Sequence, residues 1–329
     1  MDSRGKKILV TGAGGFIGSH LVERLVREGA QVRALVHYNS RNDWGNLELA
    51  DPAIKDEIEV VSGDVTDPFL VRNATRGARV VYHLSSLIAI PYSYLAPQSY
   101  VATNVLGAVN VLQAARDEGV ERVVHTSTSE CYGTAQYVPI DEKHPLQAQS
   151  PYSASKIGAD MIAESYWRSF GLPVSIVRPF NTFGPRQSAR AVVPTIITQA
   201  LTGGAISLGS LVPTRDMNYV SNTVDGFLAV ATHPAAVGEV INIGSGREIS
   251  IGDLARLIVG LTGSKSEVRE DPQRIRPENS EVARLMCSYE KAKRLLGWTP
   301  KVDLEEGLRH SIDWFSRYLD RYKTGIYNI

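Results

Sequence analysis

Residues 10–20, VTGAGGFIGSH, constrain the fold of this chain more than any other stretch. The apolar run KKILV ends at Val10, glycines follow at positions 12, 15 and 18, and LVERLVREG continues with helical periodicity. A glycine-rich turn between a strand and a helix lets backbone amides and the positive helix end approach a pyrophosphate. The interval of three from Gly12 to Gly15 to Gly18 differs from the commoner dinucleotide spacing. Five further strand candidates, QVRALV, IEVVSG, ARVVYHL, ERVVHTS and PVSIVRP, alternate with amphipathic segments of helix length. That rhythm predicts an α/β fold, a Rossmann-type doubly wound parallel sheet. After Pro179 it loosens into FNTFGPRQSAR, a helix-like VVPTIITQAL, one more strand in GEVINIGSG and a charged, helical C-terminal third. The expected division is a dinucleotide-binding domain over 1–178, with a return segment near 216–245, and a smaller substrate-binding lobe formed by 179–215 and 246–329.

Composition limits the partners. The 329 residues suffice for a core without disulfides, and 35 basic side chains balance 35 acidic ones, so no global field favours nucleic acid or an anionic membrane. Cys131 and Cys287 are the only cysteines, neither a disulfide framework nor a metal-ligand cluster, so no metal site is expected. MDSRGKKILV leads straight into a strand-like run and no stretch is long and apolar enough to span a bilayer, which reads as a cytoplasmic protein.

A second motif, QSPYSASK, carries chemistry. Ser150 suits a helix N-cap and Pro151 the first helical position, which places Tyr152 in the first turn and Lys156 one turn later on the same face. An ammonium and a helix N-terminus near a phenol both favour the phenolate, so the Tyr152 pKa is expected below its usual value of about 10. In SGDVTD, Asp64 follows a strand at a place where a carboxylate meets an adenine amino group. The second strand ends LVHYNSR, with Val36 and His37 where an acid would bond a ribose 2′-hydroxyl, and Arg41 nearby to pair with a 2′-phosphate. NAD and NADP both remain open on these residues.

TGAGGFIG, YHLSS, TNVLGAVNVLQAA, Tyr152 with Lys156, RPFNTFGPRQ and RDMNYV occur in the order found in the extended short-chain dehydrogenase/reductase family, which the chain resembles over essentially its whole length. The resemblance implies a resident nicotinamide dinucleotide, NAD with NADP not excluded, and oxidation of a sugar hydroxyl of a nucleotide-sugar by Tyr152, assisted by Thr128 and Lys156. It implies that Gly12, Gly15, Phe16, Ile17, Gly18, His37, Asp64, Val65, Leu84, Ser85, Tyr152 and Lys156 line the cofactor. It also implies a homodimer in which segments 99–118 and 152–170 form an intermolecular four-helix bundle.

Within that family the stretch TSTSECYG, residues 126–133, decides the reaction. Oxidation at C4 makes the C5 hydrogen acidic, and a carboxylate at Glu130 is placed to remove it as general base while water leaves from C6. Epimerases need no such base. Thr128-Ser129-Glu130 resembles the triplet of GDP-mannose 4,6-dehydratases, whereas dTDP-glucose 4,6-dehydratases have Asp in place of Ser129. The acid for the departing hydroxyl is then either Glu130 returning its own proton or Ser129 relaying one. STSECYGTAQYVPIDEKHPLQAQSPYSASKIGAD, RPFNTFGPRQSARAVVPTIITQ and the tail RYKTGIYNI look like bacterial nucleotide-activated N-acetylglucosamine 4,6-dehydratases of legionaminic acid and related surface-sugar pathways. By the same resemblance Ser86, Asn181, Arg186, Val193, Arg215 and Arg276 bind the nucleotide-sugar, the arginines on its diphosphate, Asn181 on the sugar or inner phosphate, and Val193 with Pro194 near the base. A nucleotide-uronic acid decarboxylase, some of whose members also carry Thr-Ser-Glu, is the nearest alternative, a C4 epimerase the next, and a cofactor-binding protein without turnover the non-enzyme reading.

Overall fold

The structure is a computed structural model that describes residues 3–324, 326 and 327. Of the tail RYKTGIYNI, Gly325, Asn328 and Ile329 lie outside the described residues.

Twelve strands are described: β1 Lys7–Thr11, β2 Gln31–His37, β3 Ile58–Gly63, β4 Val80–His83, β5 Arg122–Thr126, β6 Val174–Pro179, β7 Asn181–Phe183, β8 Ile206–Leu208, β9 Thr214–Tyr219, β10 Val240–Ile243, β11 Glu248–Ser250 and β12 Val268–Glu270. Seven form one sheet in the order β10-β6-β5-β4-β1-β2-β3 with every pairing parallel. Its central strands are runs of Val, Ile and Leu because helices cover both faces. Leu21, Val22 and Leu25 of the helix Phe16–Arg27 pack on one face with Phe227 and Val230 of Val220–Thr232. Val111, Leu112 and Ala115 of Gly107–Asp117 pack on the other with Val71, Ala74 and Ala163. This is a Rossmann-like doubly wound sheet, and its order reverses between β1 and β4. A ligand of such a sheet binds in the crevice outside the carboxyl ends at that switch point. Gly12, Leu84 and Ser127, just beyond β1, β4 and β5, all sit there.

β10 is an edge strand, and side chains occupy its free groups. Asn242 N donates to Glu142 Oε1 at 2.8 Å, and Lys291 Nζ donates to the Val240 carbonyl at 2.7 Å, which blunts pairing with another chain.

The strands β7, β9 and β11 make a small sheet, and β8 pairs with β12. They surround a separate apolar cluster of Ile196, Ile197, Leu254, Ile258 and Phe315. The expectation of one helix across 99–118 is met by a helix with a fault: Val101–Leu106 is a π turn between Pro97–Tyr100 and Gly107–Asp117. Such turns aim one side chain out of the ordinary repeat. Here it is Asn104.

Candidate active site

The glycine turn is closed by backbone packing. Gly12 has φ +69°, and a Cβ there would lie 2.7 Å from Ser85 N; a Cβ on Gly18 would lie 2.2 Å from Gly12 O. A Cβ on Gly15, by contrast, meets only Gly12 O, at 3.1 Å, and Gly15 is exposed at the N-cap of Phe16–Arg27. Phe16 and Ile17 follow, half-buried. The turn is therefore a cradle with one open side at a helix N-terminus, which fits a dinucleotide pyrophosphate. Sequence reading passed over Gly14, where a Cβ would stand 2.5 Å from the Trp44 carbonyl, so the segment after β2 packs directly on the turn. His37 Nδ1 and Asp64 Oδ2 are 3.5 Å apart at the ends of β2 and β3. Asp64 Oδ1 accepts from Thr66 N at 2.9 Å and Thr66 Oγ1 at 2.8 Å, and buried Val65 accepts from Asn110 Nδ2 at 2.9 Å.

Across the switch point, Leu84 N and Ser85 N donate to Thr11 Oγ1 at 3.1 and 3.2 Å. Ser86 Oγ donates to Asn104 Oδ1 at 3.0 Å, Leu87 N does so at 2.8 Å, and Asn104 Nδ2 donates to Ser155 Oγ at 2.9 Å and to the Leu87 carbonyl at 3.0 Å. Asn104, absent from the sequence-based set, thus ties the loop after β4 to the helix that bears Tyr152 and Lys156. A buried amide with all its bonds made is a rigid link. Its only sequence signal was an asparagine inside an apolar helical stretch.

The helix Pro151–Phe170 starts as its sequence predicts. Ser150 Oγ accepts from Ser153 N at 3.1 Å and Ser153 Oγ accepts from Ser150 N at 3.0 Å, with Pro151 first in the helix. Tyr152 is buried, edge-on to Tyr100 at 6.2 Å, in a cluster with Ile90. Lys156 Nζ donates to the Thr126 carbonyl at 2.6 Å. The expected fall in the Tyr152 pKa does not appear: burial pushes the phenol up, the adjacent Thr128 hydroxyl opposes this, and Cys131 and Glu130 add to the rise. Burial also lowers the Lys156 pKa. The i, i+4 spacing carries no information on desolvation, which is the larger effect here.

Residues 129–132 form a short 3₁₀ turn capped by Thr128, whose Oγ1 accepts from Glu130 N at 3.3 Å. Ser129 is 2 % exposed, whereas Glu130 is half-buried and close enough to Tyr152 for its charge to act on the phenol. Thr128, Glu130, Tyr152 and Lys156 are therefore brought together from the turn after β5 and one helix. Buried Cys131 has its thiol pushed up to about 12 by burial, so it is no nucleophile.

The other predicted contacts divide. Asn181 Oδ1 is buried without a hydrogen-bond partner, as an acceptor awaiting a ligand would be. Arg215 Nη2 donates to Glu281 Oε1 at 3.0 Å, and Arg276 Nη1 stands 3.7 Å from the same oxygen. Neighbouring Asp216 holds β9 in place by accepting from Ser245 N, Gly246 N and Cys287 N. Arg186 is not in this group. At φ +70° its Nη2 donates to Glu23 Oε1 at 2.6 Å, on the Phe16–Arg27 helix. His20 on that helix, its pKa lowered to about 4 chiefly by burial, is neutral and donates through Nε2 to the Pro185 carbonyl at 3.0 Å. Val193 is 1 % exposed, inside the apolar cluster of the smaller lobe, which leaves it no surface for a nucleotide base. Among the described residues, no three His, Cys, Asp or Glu side chains converge as metal ligands, and no helix is long and apolar enough to cross a membrane.

The profile of the GDP-mannose 4,6 dehydratase family matches residues 9–311. The chain belongs to this family, within the extended short-chain dehydrogenases/reductases. It is 35% identical to UDP-glucose 4-epimerase of Mycolicibacterium smegmatis over 94% of this chain and 98% of the relative. It is 34% identical to UDP-glucuronic acid decarboxylase 1 of Xenopus tropicalis over 98% of this chain and 75% of that protein. Among solved structures, dTDP-glucose 4,6-dehydratase of Streptomyces venezuelae, which holds NAD, superposes with TM-score 0.88 at 31% identity, covering 96% of this chain and 99% of the other. The chain is thus a member of the nucleotide-sugar dehydratase, decarboxylase and epimerase superfamily.

Proposed function

We propose that this family member is an NAD-dependent nucleotide-sugar 4,6-dehydratase. It would convert UDP- or GDP-N-acetylglucosamine to the 4-keto-6-deoxy sugar nucleotide, in the cytoplasm, for cell-surface polysaccharide. The observation that carries the reading is Glu130, a partly exposed carboxylate in the turn that Thr128 caps and within electrostatic reach of the Tyr152 phenol. The cradle of Gly12, Gly15 and Gly18, with Phe16, Ile17, His37, Asp64, Val65, Leu84 and Ser85 around it, would hold the dinucleotide; its open side at Gly15 is the fit. When bound, the nicotinamide supplies the acceptor for the C4 hydride and its donor at C6.

The chain's own groups do the rest. Tyr152 Oη, as the phenolate that the adjacent Thr128 hydroxyl favours against burial, would take the C4 hydroxyl proton. Lys156, anchored on the Thr126 carbonyl, keeps a positive charge beneath the site. With C4 a ketone, Glu130 takes the C5 proton, and C6 loses its hydroxyl as water. Glu130 is the better proton donor to that hydroxyl, since Ser129 is buried. Arg215 and Arg276 would grip the diphosphate, and Asn181 would donate through its amide while its free Oδ1 accepts from a sugar hydroxyl. A homodimer through segments 99–118 and 152–170 completes the proposal. Val101, Leu106, Met161 and Phe170 there are 50%, 55%, 45% and 49% exposed.

One observation favours the decarboxylase reading. Arg276 Nη1 is buried without a hydrogen bond, with Glu281 Oε1 at 3.7 Å; in that reading it would meet a C6 carboxylate in place of the diphosphate. Incubation with UDP- and GDP-N-acetylglucosamine and with UDP-glucuronate, followed by product mass, separates the readings. Loss of water supports the dehydratase, loss of carbon dioxide the decarboxylase, and unchanged mass with inverted C4 the epimerase.

A further inference from the structure

Beneath the catalytic turn lies a carboxylate that the chemistry above does not use. Asp160 stands one helical turn beyond Lys156 and is fully buried. Its Oδ2 accepts from Ser127 Oγ at 2.6 Å, Arg178 Nη2 at 2.9 Å and Arg178 Nε at 3.2 Å, and His125 Nε2 stands 3.4 Å from its Oδ1. Burial alone would raise its pKa, but His125, Arg178 and Ser127 outweigh that and hold it below the usual aspartate range. Arg178 continues the network. Its Nη1 donates to Tyr132 Oη at 3.1 Å with its guanidinium 5.0 Å from the centre of that ring, and Tyr132 Oη donates to Asn242 Oδ1 at 2.8 Å.

Ser127 and Tyr132 are the two ends of the segment that carries Thr128, Ser129 and Glu130. One end is bonded to Asp160 directly and the other through Arg178. The helix that supplies this carboxylate also supplies Tyr152 and Lys156. Attraction within a buried ion pair is largely offset by desolvation of both charges, so stability alone is a weak reason for it. We propose that Asp160 is a positioning residue, holding the Glu130 turn against the Tyr152 helix and thereby setting how often the C4 ketone loses its C5 proton rather than being reduced back. This rests on the dehydratase reading of Glu130.

The test uses Ser127→Ala, which deletes one hydroxyl and spares the ion pair, and Asp160→Asn, which strands a buried guanidinium and carries the greater risk of misfolding. Two readouts are taken. Without substrate, amide hydrogen exchange at 128–132 should quicken about tenfold, the loss of one charge-assisted hydrogen bond, while 153–163 stay as in the parent. With the nucleotide-sugar that the parent converts, the ratio of solvent deuterium entering C5 to C4 oxidation should fall by about the same factor. Unchanged exchange at 128–132 overturns the tether. An unchanged ratio, with both steps slowed equally, overturns its catalytic consequence. A parent that places no deuterium at C5 counts instead against the role of Glu130, and the amide exchange still decides whether Asp160 holds the turn.

Discussion

Arg186 Nη2 lies 2.6 Å from Glu23 Oε1, an ion pair only 10% and 8% exposed that joins the loop after β7 to the helix opening from the glycine cradle. Arg186 Nε and Nη1 have no other partner. Glu23→Gln leaves that guanidinium uncompensated, a change that typically costs about 3 kcal/mol or more. Denaturant unfolding should show the loss, with the KM for nucleotide-sugar unchanged in the folded fraction. Unchanged stability in Glu23→Gln, together with a raised KM in Arg186→Ala, would return Arg186 to the diphosphate.

The cradle separates two kinds of glycine. Gly18→Ala drives a Cβ into the Gly12 carbonyl and should lower stability through the turn itself. Gly15→Ala meets one atom at 3.1 Å and otherwise faces open space. It should keep the fold and weaken NAD binding, measured by calorimetry on protein stripped of dinucleotide. Equal binding by Gly15→Ala and the parent would move the pyrophosphate elsewhere.

Tyr152→Phe removes the phenolic oxygen and little volume from a packed cluster. Product formation should fall by about two orders of magnitude or more, as for a lost general base, while NAD binding persists. Activity within threefold of the parent would contradict the assignment.

Much of the sheet was legible because β-branched runs bounded by glycines and prolines can be little else, and six of them became β1 to β6. The pairing of Tyr152 with Lys156 was legible from an N-cap serine, a proline at the first helical position and helical spacing. Burial was not. It reverses the expected direction of the Tyr152 pKa and removes Val193 from any ligand, because both effects depend on residues far away in the chain. The Glu23–Arg186 pair spans 163 positions, and at that distance an arginine in a loop reads only as a candidate for phosphate. The π turn at 101–106 differs from an α-helix by a single extra residue, too little for periodicity to register. Asn104 and Asp160 went unnoticed for the same reason: a polar side chain on an amphipathic helix looks solvated until its neighbours are known.

Association tests the segments 99–118 and 152–170. Sedimentation should give a dimer at micromolar concentration, and Met161→Glu, which puts a charge on an exposed apolar position, should shift it toward monomer. A monomeric parent would leave Val101, Leu106 and Phe170 without the partner proposed for them.

Glu130→Gln tests the central claim most directly, with solvent deuterium at C5 as the readout. Tyr152 and Lys156 are untouched, so C4 oxidation should still be seen as nicotinamide absorbance on addition of substrate. Deuterium entry at C5 and release of 4-keto-6-deoxy product should both fall by about two to four orders of magnitude. Deuterium incorporation and product formation at the parent rate would make Glu130 a residue of the turn alone, and would remove the group that distinguishes this protein from an epimerase.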